Sequence, residues 1–192
     1  MAEVKLTEIR WHARGGQGAV TAAKLLAETA LSQGRYFQAF PEYGPERMGA
    51  PIQAFTRISS EPIHIRSSIA NPEIVVVLDP TLLKAVDVTS GMHEDGVLIV
   101  NTDDEPKAIR KAMGLKGRTI FTVNATRIAQ ETIGRPIPNT PMMGALVKAT
   151  DMMPIENLTD YVRKSFGKKF SEEIIEGNVR AVERAYAEVK AE

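Results

Sequence analysis

Val4–Trp11, then Ala13–Arg14–Gly15–Gly16–Gln17–Gly18, then Ala19–Gln33 is the stretch that decides the fold. Val4–Trp11 alternates apolar and polar residues, the period of a strand. Ala19–Gln33 is rich in Ala and Leu, reads as a helix, and is closed by Gly34 at its C-terminal end. The glycines between them form a tight turn. A strand, a glycine turn and a helix make the opening of an α/β unit.

Working outward, Tyr36–Phe40 and Ile52–Ile58 read as strands, and Ile63–Arg66 as a further short one. Ile74–Val75–Val76–Val77–Leu78 is apolar without alternation, which suits a strand covered on both faces of a parallel sheet. Val97–Val100 and Thr119–Val123 repeat that character. Helices are expected at Thr81–Val86, from Pro106 after the acids Asp103–Asp104–Glu105, and over Asn124–Ile133. After Asn124 no further strand is expected. Thr140–Met152 and Ile155–Phe166 read as helices broken near Pro154, and the last helix starts near Ser171. Ile175, Val179, Val182, Tyr186 and Val189 step by four, three, four and three along it, one buried stripe. The pattern predicts an α/β fold over residues 1–192 as one domain: three layers, a largely parallel sheet and a helical C-terminal part.

The chain has 192 residues, 24 basic against 24 acidic side chains and no cysteine. Zero Cys excludes disulfides, thiolate-held iron–sulfur clusters, Cys-type zinc sites and a Cys nucleophile in this chain. The even charge balance lacks the electrostatic footprint of a nucleic-acid binder. Met1–Glu8 has no apolar core of a signal peptide, and no run of 18 apolar residues occurs. The expectation is a soluble cytoplasmic protein.

Arg14–Gly15–Gly16–Gln17–Gly18 carries the most chemistry. Glycines here let the backbone reach positive φ and approach a ligand. The helix behind them offers unsatisfied N–H groups and a partial positive charge. The turn thus has two readings, a site for phosphate or carboxylate, or a tight connection without a ligand. Ala13 replaces the first glycine of a dinucleotide fingerprint, and no acid closes the next strand, so the usual nucleotide modes are disfavoured. Phe40–Pro51 holds three prolines, two glycines, Tyr43, Glu46 and Arg47. It is either a stiff connection or a loop that orients a ligand or neighbouring chain. In Pro136–Gly144, Asn139 or Thr140 can cap the following helix. Met142–Met143, with Met152–Met153, are core filler or an exposed partner face. His12, His64 and His93 lack metal-ligand spacing, though His12 ends the first strand beside the glycine turn. Asp79 follows a buried strand, where ligand-binding acids and helix starts both occur. Asp103 and Asp104 read as a cap, no Gly-x-Ser-x-Gly elbow is present, and no catalytic constellation can be assembled.

Three runs occur in order: Trp11–His12–Ala13–Arg14–Gly15–Gly16–Gln17–Gly18–Ala19–Val20–Thr21, Tyr43–Gly44–Pro45–Glu46–Arg47–Met48–Gly49–Ala50–Pro51, and Asn139–Thr140–Pro141–Met142–Met143–Gly144. In them, and in length, the chain resembles the gamma subunit of 2-oxoacid:ferredoxin oxidoreductases, most of all that of the pyruvate enzyme (pyruvate synthase). The resemblance implies an α/β subunit of an enzyme that converts pyruvate and coenzyme A to acetyl-CoA and carbon dioxide while reducing ferredoxin. It implies alpha, beta and delta subunits as partners. It places thiamine diphosphate, Mg and the iron–sulfur clusters in those other subunits, and leaves coenzyme A as the ligand this chain helps to bind. Arg14, Gly15, Gly16, Gln17 and Gly18, with Tyr43, Gly44, Glu46 and Arg47, are the binding residues it carries over. Ala13 stands where many members have glycine, and Met48 where many have a second arginine. The isolated chain is expected to be inactive. The alternatives are a related enzyme for a branched-chain, aryl or 2-oxoglutarate substrate, or a stand-alone module for a phosphate-bearing ligand.

Overall fold

The computed structural model describes residues 6–42, 49–167 and 169–192. Its elements in chain order are β1 (Leu6–Arg14), α1 (Ala19–Ser32), β2 (Tyr36–Pro41), β3 (Pro51–Ser59), β4 (Ile74–Val77), α2 (Leu82–Ala85), β5 (Val97–Asn101), α3 (Pro106–Met113) and β6 (Thr119–Val123). There follow α4 (Ala125–Ile133), α5 (Asn139–Thr150), α6 (Ile155–Phe166), α7 (Glu172–Glu188) and β7 (Lys190–Ala191). The strands form one sheet in the order β2-β3-β1-β4-β5-β6-β7. The centre, β1-β4-β5-β6, is parallel. On one side β2 and β3 are antiparallel additions, and on the other so is β7.

Alternation along β1 divides the molecule into layers. Ile9, Trp11 and Ala13 point into a core shared with α1, α4, α5, α6 and α7. The opposite face of β4, β5 and β6 packs under α2 and α3 through Val75, Val77, Leu98 and Val100. Strands sandwiched this way have no solvent face, which is why Ile74–Val77 is apolar at every position and buried throughout. Trp11 is wholly buried, and its indole N–H donates to Thr56 Oγ1 at 3.1 Å. The Thr56 hydroxyl in turn donates to the carbonyl of Ala23 at 3.2 Å, tying β1, β3 and α1 together without leaving a buried polar atom unmet.

Two strand expectations fail, and two cap expectations with them: α3 is capped at Glu105 rather than at Asp103 or Asp104, and α5 at Pro138 rather than at Asn139 or Thr140, neither with a side-chain bond. Residues 63–66 form no strand; they lie in the connection between β3 and β4. The buried Arg57 ion-pairs with Glu8 at 2.7 Å and donates to the Ser68 carbonyl, while Gln38 donates to the Ile63 carbonyl. Those backbone carbonyls serve side chains rather than a neighbouring strand. A strand does follow Asn124, the two-residue β7, which pairs with Phe121 and Thr122 of β6. Nothing in two residues, Lys190 and Ala191, carries a strand period.

The methionines settle as core. Met142 and Met143 have no exposed surface, Met153 is buried and Met152 half-buried, so they form no exposed face. Of the predicted stripe on α7, Val179 and Val182 are buried while Ile175, Tyr186 and Val189 are half-buried. Helices α5 and α7 approach so closely at Gly144 that a Cβ there would collide with the backbone carbonyl of Val182. Gly144 lies inside a helix, where Ala is otherwise favoured by up to about 1 kcal/mol. The steric term is larger, because a backbone group must move in a packed core. Gly144→Ala is expected to lower stability by about 2 kcal/mol, read as a fall in the denaturant midpoint at unchanged m-value.

Candidate functional site

The glycine turn sits at the C-terminal end of β1, beside the end of β4, at the edge of a parallel sheet where α/β folds place ligands. Gly16 and Gly18 have φ of +98° and +80°, values that L side chains rarely adopt. Gln17 holds the turn in place from both ends of its amide. Its Oε1 accepts from the Arg14 N–H at 2.8 Å, and its Nε2 donates to Asp79 Oδ2 at 2.9 Å. Asp79 also accepts at Oδ1 from the Thr81 N–H at 2.9 Å and the Thr81 hydroxyl at 2.6 Å.

Arg14 belongs to the same cluster. Its Nε and Nη2 donate to Thr81 Oγ1 at 3.2 and 2.8 Å, and Nη1 donates to the Gly49 carbonyl at 3.1 Å. Its Nε lies 3.4 Å from Asp79 Oδ2. The guanidinium charge is therefore matched by a carboxylate. Partial burial by itself would raise the Asp79 carboxyl. The donors from Thr81 and Gln17 and the charge of Arg14 outweigh it and hold the carboxyl below its ordinary value.

The structure draws the three sequence motifs together here. The Gly15 N–H donates to the Ala50 carbonyl at 3.0 Å and the Gly49 N–H to the Gly15 carbonyl at 3.3 Å, so the end of the second motif is clamped to the first. Tyr43, Gly44, Glu46 and Arg47 lie outside the described residues. From the third motif, Asn139 packs against Gly18: a Cβ on Gly18 would stand 2.6 Å from Asn139 Nδ2. Asn139 also accepts from the Thr140 N–H at 2.8 Å within the first turn of α5, whose N-cap residue is Pro138. The starts of α1 and α5 thus meet at one point.

That meeting point has donors to spare. The first backbone bond of α1 runs from the Ala22 N–H to the Gly18 carbonyl at 2.9 Å, leaving the N–H groups of Ala19, Val20 and Thr21 without a helical acceptor. Two helix N-termini also converge their partial positive charge there. The arrangement can receive a phosphate or carboxylate oxygen through backbone N–H groups. Gly16 faces open space, with nothing within 4 Å of where its Cβ would be.

His12 sits on the same face of β1 as Arg14, buried, with Nε2 accepting from Arg10 Nε at 3.1 Å. Arg10 is anchored by the carbonyls of Val88 and Ser90. Burial, then the charge of Arg10, pushes the imidazole down to about 4 against an opposing pull from Asp87. His12 is thus a neutral acceptor at neutral pH. Among the described residues no cluster of three or more His, Asp or Glu is placed to hold a metal ion. Thr81 and Asn101 are the site residues that sequence reasoning missed. Asn101 ends β5, donates to the Leu78 carbonyl at 2.7 Å and to Thr126 Oγ1 at 2.8 Å, and so braces the segment leading to Asp79. Thr81 was legible only as part of a helix start in Asp79–Pro80–Thr81.

Two outcomes follow from this geometry. Between pH 6.5 and 4 the unfolded chain takes up a proton at His12 that the folded chain refuses. Stability therefore falls as pH drops through this window, by on the order of 3 kcal/mol, and His12→Gln flattens that segment of a stability–pH curve. Asp79, with a depressed carboxyl, adds stability that is present above its unfolded value and lost only at lower pH, as the folded value is passed. Separately, Gly18→Ala is expected to cost about 1–2 kcal/mol in backbone strain plus the clash with Asn139. The double variant with Asn139→Ala should recover the clash part alone, giving a non-zero coupling in a double-mutant cycle of denaturation midpoints.

Residues 8–188 match the family described as pyruvate ferredoxin/flavodoxin oxidoreductase. The chain is 52% identical over 186 residues to pyruvate synthase subunit PorC of Thermotoga maritima, covering 97% of this chain and 96% of that one. It is 48% identical over 181 residues to the common subunit gamma of the pyruvate/ketoisovalerate oxidoreductases of Pyrococcus furiosus, covering 94% of this chain and 96% of that one. The crystal structure of the pyruvate oxidoreductase subunit PORC from Thermotoga maritima superposes with a TM-score of 0.85, at 48% identity, over 97% of this chain and 98% of that one. The chain belongs to the pyruvate ferredoxin/flavodoxin oxidoreductase family, as a gamma subunit of the multi-subunit enzyme that oxidises pyruvate.

Proposed function

We propose that within this enzyme the chain presents its Gly15–Gly18 turn to the phosphates of coenzyme A and holds neighbouring subunits in register, while all redox chemistry occurs elsewhere. The observation that carries this is the convergence of three distant motifs on one turn: Gly15 bonds Gly49 and Ala50, and Gly18 touches Asn139. A merely tight connection needs no help from residue 139. The residues fit a phosphate: the free N–H groups of the first turn of α1, the open space over Gly16 and the converging helix starts all favour an anion.

Coenzyme A, when bound, supplies the thiol that takes up the acetyl group. The chain's own residues act around it. Gly16 leaves room for close approach, the N–H groups of Ala19, Val20 and Thr21 at the start of α1 are available to phosphate oxygens, and Gln17, Asp79 and Thr81 keep the turn from moving. Arg14 acts as a positioning residue, since its charge is already matched by Asp79. Tyr43, Gly44, Glu46 and Arg47 extend the proposed binding set. Thiamine diphosphate, Mg and the iron–sulfur clusters are assigned to alpha, beta and delta subunits, with ferredoxin as electron acceptor, in a cytoplasmic complex. Zero cysteine accords with a chain that carries no cluster.

A second reading concerns the substrate. The Pyrococcus furiosus relative is described as common to a pyruvate and a ketoisovalerate enzyme. One gamma subunit can therefore serve two oxoacids, which supports placing oxoacid choice in the other subunits. A panel of oxoacids assayed on the assembled complex decides whether pyruvate, a branched-chain or aryl oxoacid or 2-oxoglutarate is preferred.

Gly16→Asn tests the coenzyme A proposal. Asn tolerates positive φ better than other side chains and meets no internal atom at this position. Apparent KM for coenzyme A in pyruvate-dependent ferredoxin reduction is expected to rise at least about tenfold, equivalent to about 1.4 kcal/mol, with KM for pyruvate and assembly unchanged. An unchanged KM for coenzyme A would assign the turn to structure alone. Leaving the chain out of the complex should abolish most activity.

A further inference from the structure

A groove of about 600 Å³ runs from the start of α1, between α1 and the α4–α5 connection, to the segment joining α6 to α7. Its floor is apolar, including the buried Leu25 and the half-buried Ile137 and Phe166. Its polar floor groups are already bonded within the chain, Thr140 Oγ1 donating to Asn178 Oδ1 at 2.9 Å and Asn178 Nδ2 to the Ile174 carbonyl at 2.8 Å. Along its walls stand Val20, Phe170 and Ile174, which are 40%, 47% and 38% exposed. They are three of the seven exposed large apolar side chains among the described residues, gathered at one place. Exposed apolar side chains gathered at one place, rather than scattered singly, suit a contact surface.

Its charge is one-sided. Lys24, Arg135 and Lys169 line the groove against the single acid Glu28. Glu28 is already engaged, 3.7 Å from Lys24 and accepting from the Tyr161 hydroxyl at 3.1 Å. Arg135 and Lys169 are exposed and have no acidic partner among the described residues. In a chain of zero net charge, two unmatched cations on the rim of an apolar trough form a local positive field.

We infer that this groove docks an acidic, amphipathic segment of another subunit of the enzyme, apolar side chains on its floor and carboxylates against Arg135 and Lys169. The inference rests on the chain's place in a multi-subunit enzyme and uses the side chains of Val20, Arg135, Lys169, Phe170 and Ile174, none of which the coenzyme A proposal requires. An apolar centre ringed by rim charges is how protein interfaces divide affinity from registration. The unmet cations are at the rim, where a segment several residues long can reach all of them while covering Val20, Phe170 and Ile174.

The test uses the assembled enzyme carrying a photo-crosslinking residue at position 174, and separately the double charge reversal Arg135→Glu with Lys169→Glu. Crosslinking to a stretch of another subunit that contains Asp or Glu among apolar residues is the expected result. Charge reversal should raise the Kd for joining the other subunits at least tenfold at 0.1 M salt, with a narrower gap at 0.5 M where screening is strong. Arg135→Lys with Lys169→Arg should leave Kd unchanged. Circular dichroism of the free variants confirms that folding is retained. No crosslink to another chain in an intact complex overturns the inference, as does a Kd indifferent to charge reversal. Failure of the native chain to join any complex would instead overturn its role as a subunit.

Discussion

The carboxylate of Asp79 is the contact on which the site depends. It receives the Gln17 amide, the Thr81 N–H and hydroxyl, and the charge of Arg14. These groups come from two different strand ends, so the carboxylate fastens the turn after β1 to the segment after β4. A glycine-rich turn is entropically loose, because glycine gives up the most freedom on folding. Here the loss is offset by charge-assisted bonds, which are the stronger kind. The side chain is 14% exposed, buried enough for those bonds to hold and wet enough to stay ionised. With the turn fixed, Gly15 can receive the Gly49–Ala50 segment and Gly18 can receive Asn139.

Much of this was legible in residue order, and the exceptions have physical causes. The central strands announced themselves because burial on both faces demands unbroken apolar runs, as in Ile74–Val77. Glycines marked helix ends because a positive φ has few other solutions, as at Gly34 with φ +74°. The strand expected at 63–66 failed because extended backbone can be satisfied by side chains as well as by a neighbouring strand, as Gln38 does at the Ile63 carbonyl. The methionine pairs were ambiguous because Met suits a core and a contact face equally. For the site, the glycine motif and Asn139 were visible one at a time. Their meeting was not, since Gly18 and Asn139 touch only through the tertiary fold. Nothing near Arg14 in sequence pairs with it; Thr81 and Asp79 take up its guanidinium only through the tertiary fold.

His12, buried and neutral beside Arg10, is an acceptor that orients a guanidinium rather than a proton-transfer group at neutral pH. A chain with no cysteine has no thiolate to hold an iron–sulfur cluster, in keeping with the proposal that it shapes the complex rather than carrying its electrons. A chain in that position needs surfaces that neighbours can recognise. The groove beside α1 supplies one whose apolar walls and unmatched cations have no use inside the chain itself.

The matching of Arg14 by Asp79 changes what kind of anion site the glycine turn can be. A bare guanidinium would attract any phosphate at a distance, with strong dependence on salt. A neutralised pair does not. What remains is a set of N–H dipoles within the first turn of α1, whose field falls off within that turn. Attraction of this kind acts only on a group that fits, so shape rather than net charge selects the ligand. The bulk of a large ligand's affinity must then come from contacts beyond the turn. Helix α1 begins at Ala19 directly after Gly18, and its wall continues through Val20 and Lys24 into the groove. The turn and the groove thus share one helix, and a neighbour seated in the groove would stiffen the α1 N-terminus on which the proposed phosphate contacts depend.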